Sequence, residues 1–172
     1  MLAPPNYGAV FTDRACTMPS ECAAALYQMR SDSNFLAALN AGRHAFGRTA
    51  MTSISTTDDQ VFVLPQQAAL GGESGMISNL HVQDLCPGHR AQHNDLPFDG
   101  PAWTMAIDAL DHRGPAELSR IDPAACAQDT VPGVSRADAE ARLAAYSATL
   151  GQLLGPTGPK AAGEPPLAPY AG

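Results

Sequence analysis

Hydrophobic positions in this chain fall into short clusters whose period switches between helix and strand spacing. Residues 1–15 read as an extended entry segment. A Thr17 or Ser20 cap, with Pro19 and Glu21, opens a helix over Glu21–Arg30 that carries Leu26, Tyr27 and Met29. Asp32 or Ser33 caps a second helix, Asn34–Asn40, with Phe35, Leu36 and Leu39 on its apolar side and Gly42 as its stop. β-Branched residues over Thr49–Ser55 predict a strand that runs into the polar loop ending Thr57-Asp58-Asp59. Residues 60–75 read as loop, with Gly71, Gly72 and Gly75 clustered. Met76–Val82 is the second strand, Leu80 and Val82 alternating with Asn79, His81 and Gln83, and it feeds the loop Cys86-Pro-Gly-His-Arg-Ala-Gln-His93.

The second part of the chain reads as helical. Asp99 and Pro101 open a helix over Ala102–His112, with Trp103, Ile107 and Leu110 one and two turns apart, and Gly114 and Pro115 stop it. Ser135 with Asp138 forms a capping signal for the longest helix, 136–154, whose stripe is Leu143, Tyr146, Leu150, Leu153 and Leu154. Residues 155–172 are a Pro/Gly-rich tail that cannot be helical. Two strands followed by helices predict part of a layered α/β protein, one domain over residues 1–172. Each strand ends in a loop with titratable residues, where open α/β sheets bind their ligands.

Composition then narrows the function. Ten Lys plus Arg against 17 Asp plus Glu give a net charge of -7, which argues against nucleic acid as a partner. With 45% hydrophobic and 16% charged residues the chain is globular, and no apolar run of about 18 residues predicts a transmembrane segment. Four cysteines, Cys16, Cys22, Cys86 and Cys126, fit an oxidised, exported protein, although the first residues hold no export signal.

Two constellations carry candidate chemistry. Asp58 after the first strand and His93 after the second match the acid and base of a hydrolase triad, which follow the nucleophile in that chain order. On spacing alone, a loop-capping Asp58 and a polar loop His93 remain the better reading. Cys86, His89 and His93, with His81 and Asp84 nearby, have spacing that zinc could use. Structural zinc sites pair two such knuckles, so a disulfide cysteine beside two loop histidines is preferred. No cofactor is expected. Gly72-Glu73-Ser74-Gly75 approaches a nucleophile elbow, but Met76 stands where the last glycine belongs, and no other segment has the G-x-S-x-G form.

Longer matches point to a family. Thr57-Asp58-Asp59, the run Asn79-Leu-His-Val-Gln-Asp-Leu-Cys86, and His93 resemble the second half of secreted lipases of the Candida antarctica lipase B type. Leu2-Ala3-Pro4, Asn34–Asn40, the segment Asp111–Ala116 and the tail around Gly158-Pro159-Lys160 and Glu164-Pro165 also fit. The resemblance implies the C-terminal part of an α/β-hydrolase fold, the last strands of its parallel sheet with flanking helices. It implies a secreted carboxylic ester hydrolase acting on ester and lipid substrates, triacylglycerols included. Asp58 would be the triad acid, Asp59 a carboxylate outside the triad, and His93 the general base. Cys86 and Cys126 would form the family's disulfide, and helix 136–154 would line the acyl entrance. Cys16 and Cys22 have no firm family counterpart; a local bridge across Thr17–Glu21 is expected for them because Cys22 falls in the first turn of the helix over Glu21–Arg30, with Cys16 just before it. The family's serine and oxyanion hole lie before the matched region. The expectation is therefore a segment that needs an N-terminal half or a partner chain and is inactive alone. The alternative is a non-catalytic binding or interaction module on a shortened hydrolase scaffold.

Overall fold

The computed structural model describes residues 1–17, 22–42, 49–59, 63–72, 75–155 and 157–169. In chain order its elements are α1 (Val10–Ala15), α2 (Ala24–Gln28), α3 (Asn34–Asn40), β1 (Met51–Ser55), α4 (Pro65–Ala68), β2 (Ile77–His81), α5 (Val82–Leu85), α6 (Gly100–Asp111) and α7 (Arg136–Leu154). Three 3₁₀ turns stand at His93–Asp95, Leu118–Arg120 and Pro123–Ala127.

β1 and β2 pair in parallel, in register from Met51 opposite Ile77 to Ser55 opposite His81. On its other side β1 takes a parallel bridge from Leu2, where Ala3 donates to the Ile54 carbonyl and Ile54 donates to Met1. Thr52, Ser53, Ile54 and Ser55 are all buried, so both faces of β1 are covered. That is why three hydroxyl residues are tolerated there: each polar atom finds a partner. Thr52 Oγ1 accepts from the Ala116 N–H at 2.9 Å, and Ser53 Oγ donates to the Ala68 carbonyl at 2.7 Å. The main core joins Ile54 and Val82 to Ala102 and Met105 of α6, and to Leu96, Ile121 and Ala125.

Caps explain the helix starts. Asp99 accepts from the Ala102 N–H, Ser135 from Asp138 and Ser33 from Leu36. Gly100 is required by packing, since a Cβ there would run into the Gln128 carbonyl. Beyond α6, buried Asp108 accepts from Arg120 Nε at 3.0 Å, Arg120 Nη2 at 2.6 Å and the Glu117 N–H at 2.9 Å, which folds residues 112–120 back onto the helix.

Several elements differ from their sequence reading. The entry segment holds α1, where Thr12 is fully buried with its hydroxyl within hydrogen-bonding distance of the Ala9 and Met29 carbonyls. The helix expected over Glu21–Arg30 is only α2, with Glu21 outside the described residues. The loop over 60–75 contains the single turn α4. The stripe expected on α7 is not a buried face: Ala139 is buried, Leu143 and Leu150 are half-buried and Tyr146 is 52% exposed, while the side chains of Leu153 and Leu154 lie outside the described residues. Leu110, placed on the apolar side of α6, is 77% exposed. The Pro/Gly-rich tail is irregular as its composition dictates, yet it is anchored. Ala161 donates to the Cys22 carbonyl, and Glu164 accepts the N–H groups of Asn34 and Phe35 at the start of α3.

Candidate active site

β1 delivers its chain into a turn closed by the Asp59 N–H on the Thr56 carbonyl. The two adjacent carboxylates of this turn take different partners. Asp59 is 1% exposed; its Oδ1 accepts the Val63 N–H at 3.2 Å and its Oδ2 meets His93 Nδ1 at 2.6 Å. Asp58 accepts from the Ala91 N–H at 3.3 Å and pairs with exposed Arg90 at 3.2 Å, in the same loop as His93. The expected contact between Asp58 and His93 is therefore replaced by one between Asp59 and His93. Both carboxylates reach the segment 90–93, and the more deeply buried one meets the imidazole.

His93 opens the 3₁₀ turn after the β2–α5 unit, about a quarter exposed. An Nδ1–H donated to this carboxylate would put the basic nitrogen of the ring at Nε2. This is the orientation a general base needs. The loop around it is fixed at several points. Cys86 is bonded to Cys126, His89 Nε2 meets buried Asp99 at 2.5 Å, and the Ala91 carbonyl accepts from Thr56 Oγ1 at 2.8 Å. A second bridge joins Cys16 and Cys22 beside Leu26 and Tyr27.

The candidate zinc residues do not converge. Cys86 is consumed by its disulfide, His81 Nδ1 contacts Ser55 Oγ at 2.7 Å, and His89 and His93 go to different carboxylates. No three His, Cys, Asp or Glu side chains gather around a cation position among the described residues. Ser74 lies outside the described residues. A cavity of about 190 Å³ opens between the loop before His93 and α7, lined by His89, Arg90, Asp99, Arg136, Glu140 and Leu143. α7 thus borders this loop through His89 and Arg90.

The structure resembles that of a lipase. The crystal structure of Aspergillus fumigatus lipase B superposes with a TM-score of 0.80 and 27% sequence identity, over 99% of this chain and 43% of that chain. The fold is accordingly lipase-like, in the manner of an α/β-hydrolase. This chain spans less than half the length of that lipase. No family model matches the chain, and no curated protein does. Among the described residues no helix is long and apolar enough to cross a membrane.

Sequence reasoning expected Asp58 at His93, whereas the structure brings Asp59 to it. The signal available was the adjacent pair itself, because a two-carboxylate turn after a strand offers either residue. It also passed over Thr56 and Gln83, which join the two loops.

Proposed function

We propose that residues 1–172 form the acid-and-base part of a secreted carboxylic ester hydrolase acting on lipid esters. Asp59, in place of Asp58, is the triad acid and His93 the general base. Nε2 of His93 takes the proton of a serine as it attacks the ester carbonyl, then returns it to the departing alcohol. Asp59 holds the productive tautomer and stabilises the imidazolium formed in between. The serine and the oxyanion hole come from polypeptide outside this chain, as an N-terminal portion or a partner. The observation carrying this reading is the 2.6 Å Asp59–His93 contact within a fold like that of a lipase more than twice as long. The two disulfides favour an oxidising compartment, hence secretion.

The test is hydrolysis of a nitrophenyl ester. This chain alone should not exceed a matched blank. Joined to a segment carrying a nucleophile elbow, in cis or as a second polypeptide, it should become active and lose that activity on His93→Ala. Activity indifferent to His93→Ala would refute the assignment. The absence of a G-x-S-x-G segment within residues 1–172 also favours a second reading, a non-catalytic interaction module, which predicts no gain on adding the elbow segment.

A further inference from the structure

The acid and the base come from separate segments, 34 residues apart. Asp59 follows β1, His93 follows α5, and chain connectivity does not set the spacing between their loops. Gln83, on α5, stands between them. Its Oε1 accepts the Thr57 N–H at 2.9 Å, while its Nε2 donates to Thr56 Oγ1 and to the His89 carbonyl, each at 3.0 Å. Thr56 is fully buried, and its Oγ1 donates to the Ala91 carbonyl at 2.8 Å while accepting the Asp58 N–H at 3.2 Å. With the Gln83 contact, the one donor and both acceptor sites of this hydroxyl are used.

One amide and one hydroxyl therefore join residues 56–58 to residues 89–91, immediately before each member of the Asp59–His93 pair. We propose that Gln83 and Thr56 are positioning residues that set the distance and tautomer of that pair, a role that rests on the ester-hydrolase reading. Neither needs to touch substrate. Both act through backbone groups of the two loops, and a fully satisfied network of this kind admits one relative placement of the segments. Displacing a reacting group by about 1 Å costs on the order of 100-fold in rate, which sets the expected effect.

The experiment reads the imidazole directly. In the full ¹⁵N-labelled chain, His93 should show the Nδ1–H tautomer and a low-field Nδ1 proton. Gln83→Met, of similar size, and Thr56→Val should lose that proton to exchange and mix the tautomers. Thr56→Ser, which restores the hydroxyl, should recover both signals. Gln83→Met leaves the buried threonine in place and keeps the test open if Thr56→Val fails to fold. Once joined to an elbow-bearing segment, Gln83→Met should lower kcat about 100-fold with KM within about twofold. An unchanged His93 proton and tautomer in Gln83→Met, a Thr56→Ser spectrum no better than that of Thr56→Val, or a wild-type His93 lacking the Nδ1–H form would each overturn the proposal. Failure of the ester-hydrolase reading would show itself separately, as hydrolysis indifferent to His93→Ala, and would leave the imidazole spectra unchanged.

Discussion

Removing the bridge between Cys86 and Cys126 perturbs stability in a way the chain's own topology makes calculable. The two cysteines are separated by 40 residues, whereas Cys16 and Cys22 are separated by only 6. In the chain-entropy description, a cross-link stabilises by restricting the unfolded chain, and its effect grows with the logarithm of the loop it closes. For the longer loop this amounts to about 4 kcal/mol at 25 °C, and for the shorter to about 2.4 kcal/mol. The double variant Cys86→Ala/Cys126→Ala should therefore lose about 1.5 kcal/mol more than Cys16→Ala/Cys22→Ala. Cavity cost works against that difference, because Cys16 and Cys22 are both buried whereas Cys126 of the longer bridge is half-buried. Equilibrium unfolding in guanidinium chloride, followed by circular dichroism, measures it. With a slope of about 4 kcal/mol/M, the first variant's midpoint should fall by about 1 M. Equal losses for the two variants would refute the reasoning. They would mean that the unfolded chain already keeps Cys86 near Cys126, so that the bond removes little freedom.

Four further outcomes follow from the same geometry. In the elbow-supplemented enzyme, Asp59→Asn should lower kcat by on the order of 10⁴-fold through loss of the correct tautomer, whereas Asp58→Asn should change it less than about tenfold; the opposite ranking would restore Asp58 as the acid. Met105→Ala, at a fully buried position, should destabilise the fold by about 2–5 kcal/mol in a denaturant titration. Asp99→Ala removes the α6 cap and the partner of His89, and should cost about 1–2 kcal/mol by the same measurement. Hydrogen bonding from Arg120 holds the Asp108 carboxyl below its ordinary value of 3.8. Its stabilising contribution is thus present above that value and lost as pH falls through the lower folded one, so Asp108→Asn should flatten the acid limb of a stability–pH curve.

Much of the fold was legible because its signals are local. Asp99 with Pro101 and Ser135 with Asp138 mark the starts of α6 and α7, and the β-branched run before Ser55 marks β1. The parts that escaped depend on partners far away in sequence. α1 forms because Thr12 finds the Met29 carbonyl, and nothing in Val10–Ala15 announces that. Leu110 of α6 and the leucines of α7 obey helical spacing, but spacing alone does not bury them, and Leu110 is exposed. The carboxylate that meets His93 differs from the expected one for a similar reason. Thr57-Asp58-Asp59 states that a carboxylate follows β1, while the depth of each carboxylate is decided by the Thr56–Asp59 turn and by the Val63 N–H.

The strap formed by Glu164 has a consequence for how the molecule is made. Its carboxylate satisfies the first N–H groups of a helix that lies 130 residues earlier, and Ala161 closes the backbone beside Cys22. During synthesis α3 emerges long before the residue that completes its first turn. The N-terminal helices cannot reach their final state vectorially, from first residue to last, as translation otherwise favours. They must wait, partly consolidated, until residues 161–164 have emerged and can reach them. A ribosome stalled before Glu164 would hold these helices open to proteolysis while β1, β2 and α6 were already protected.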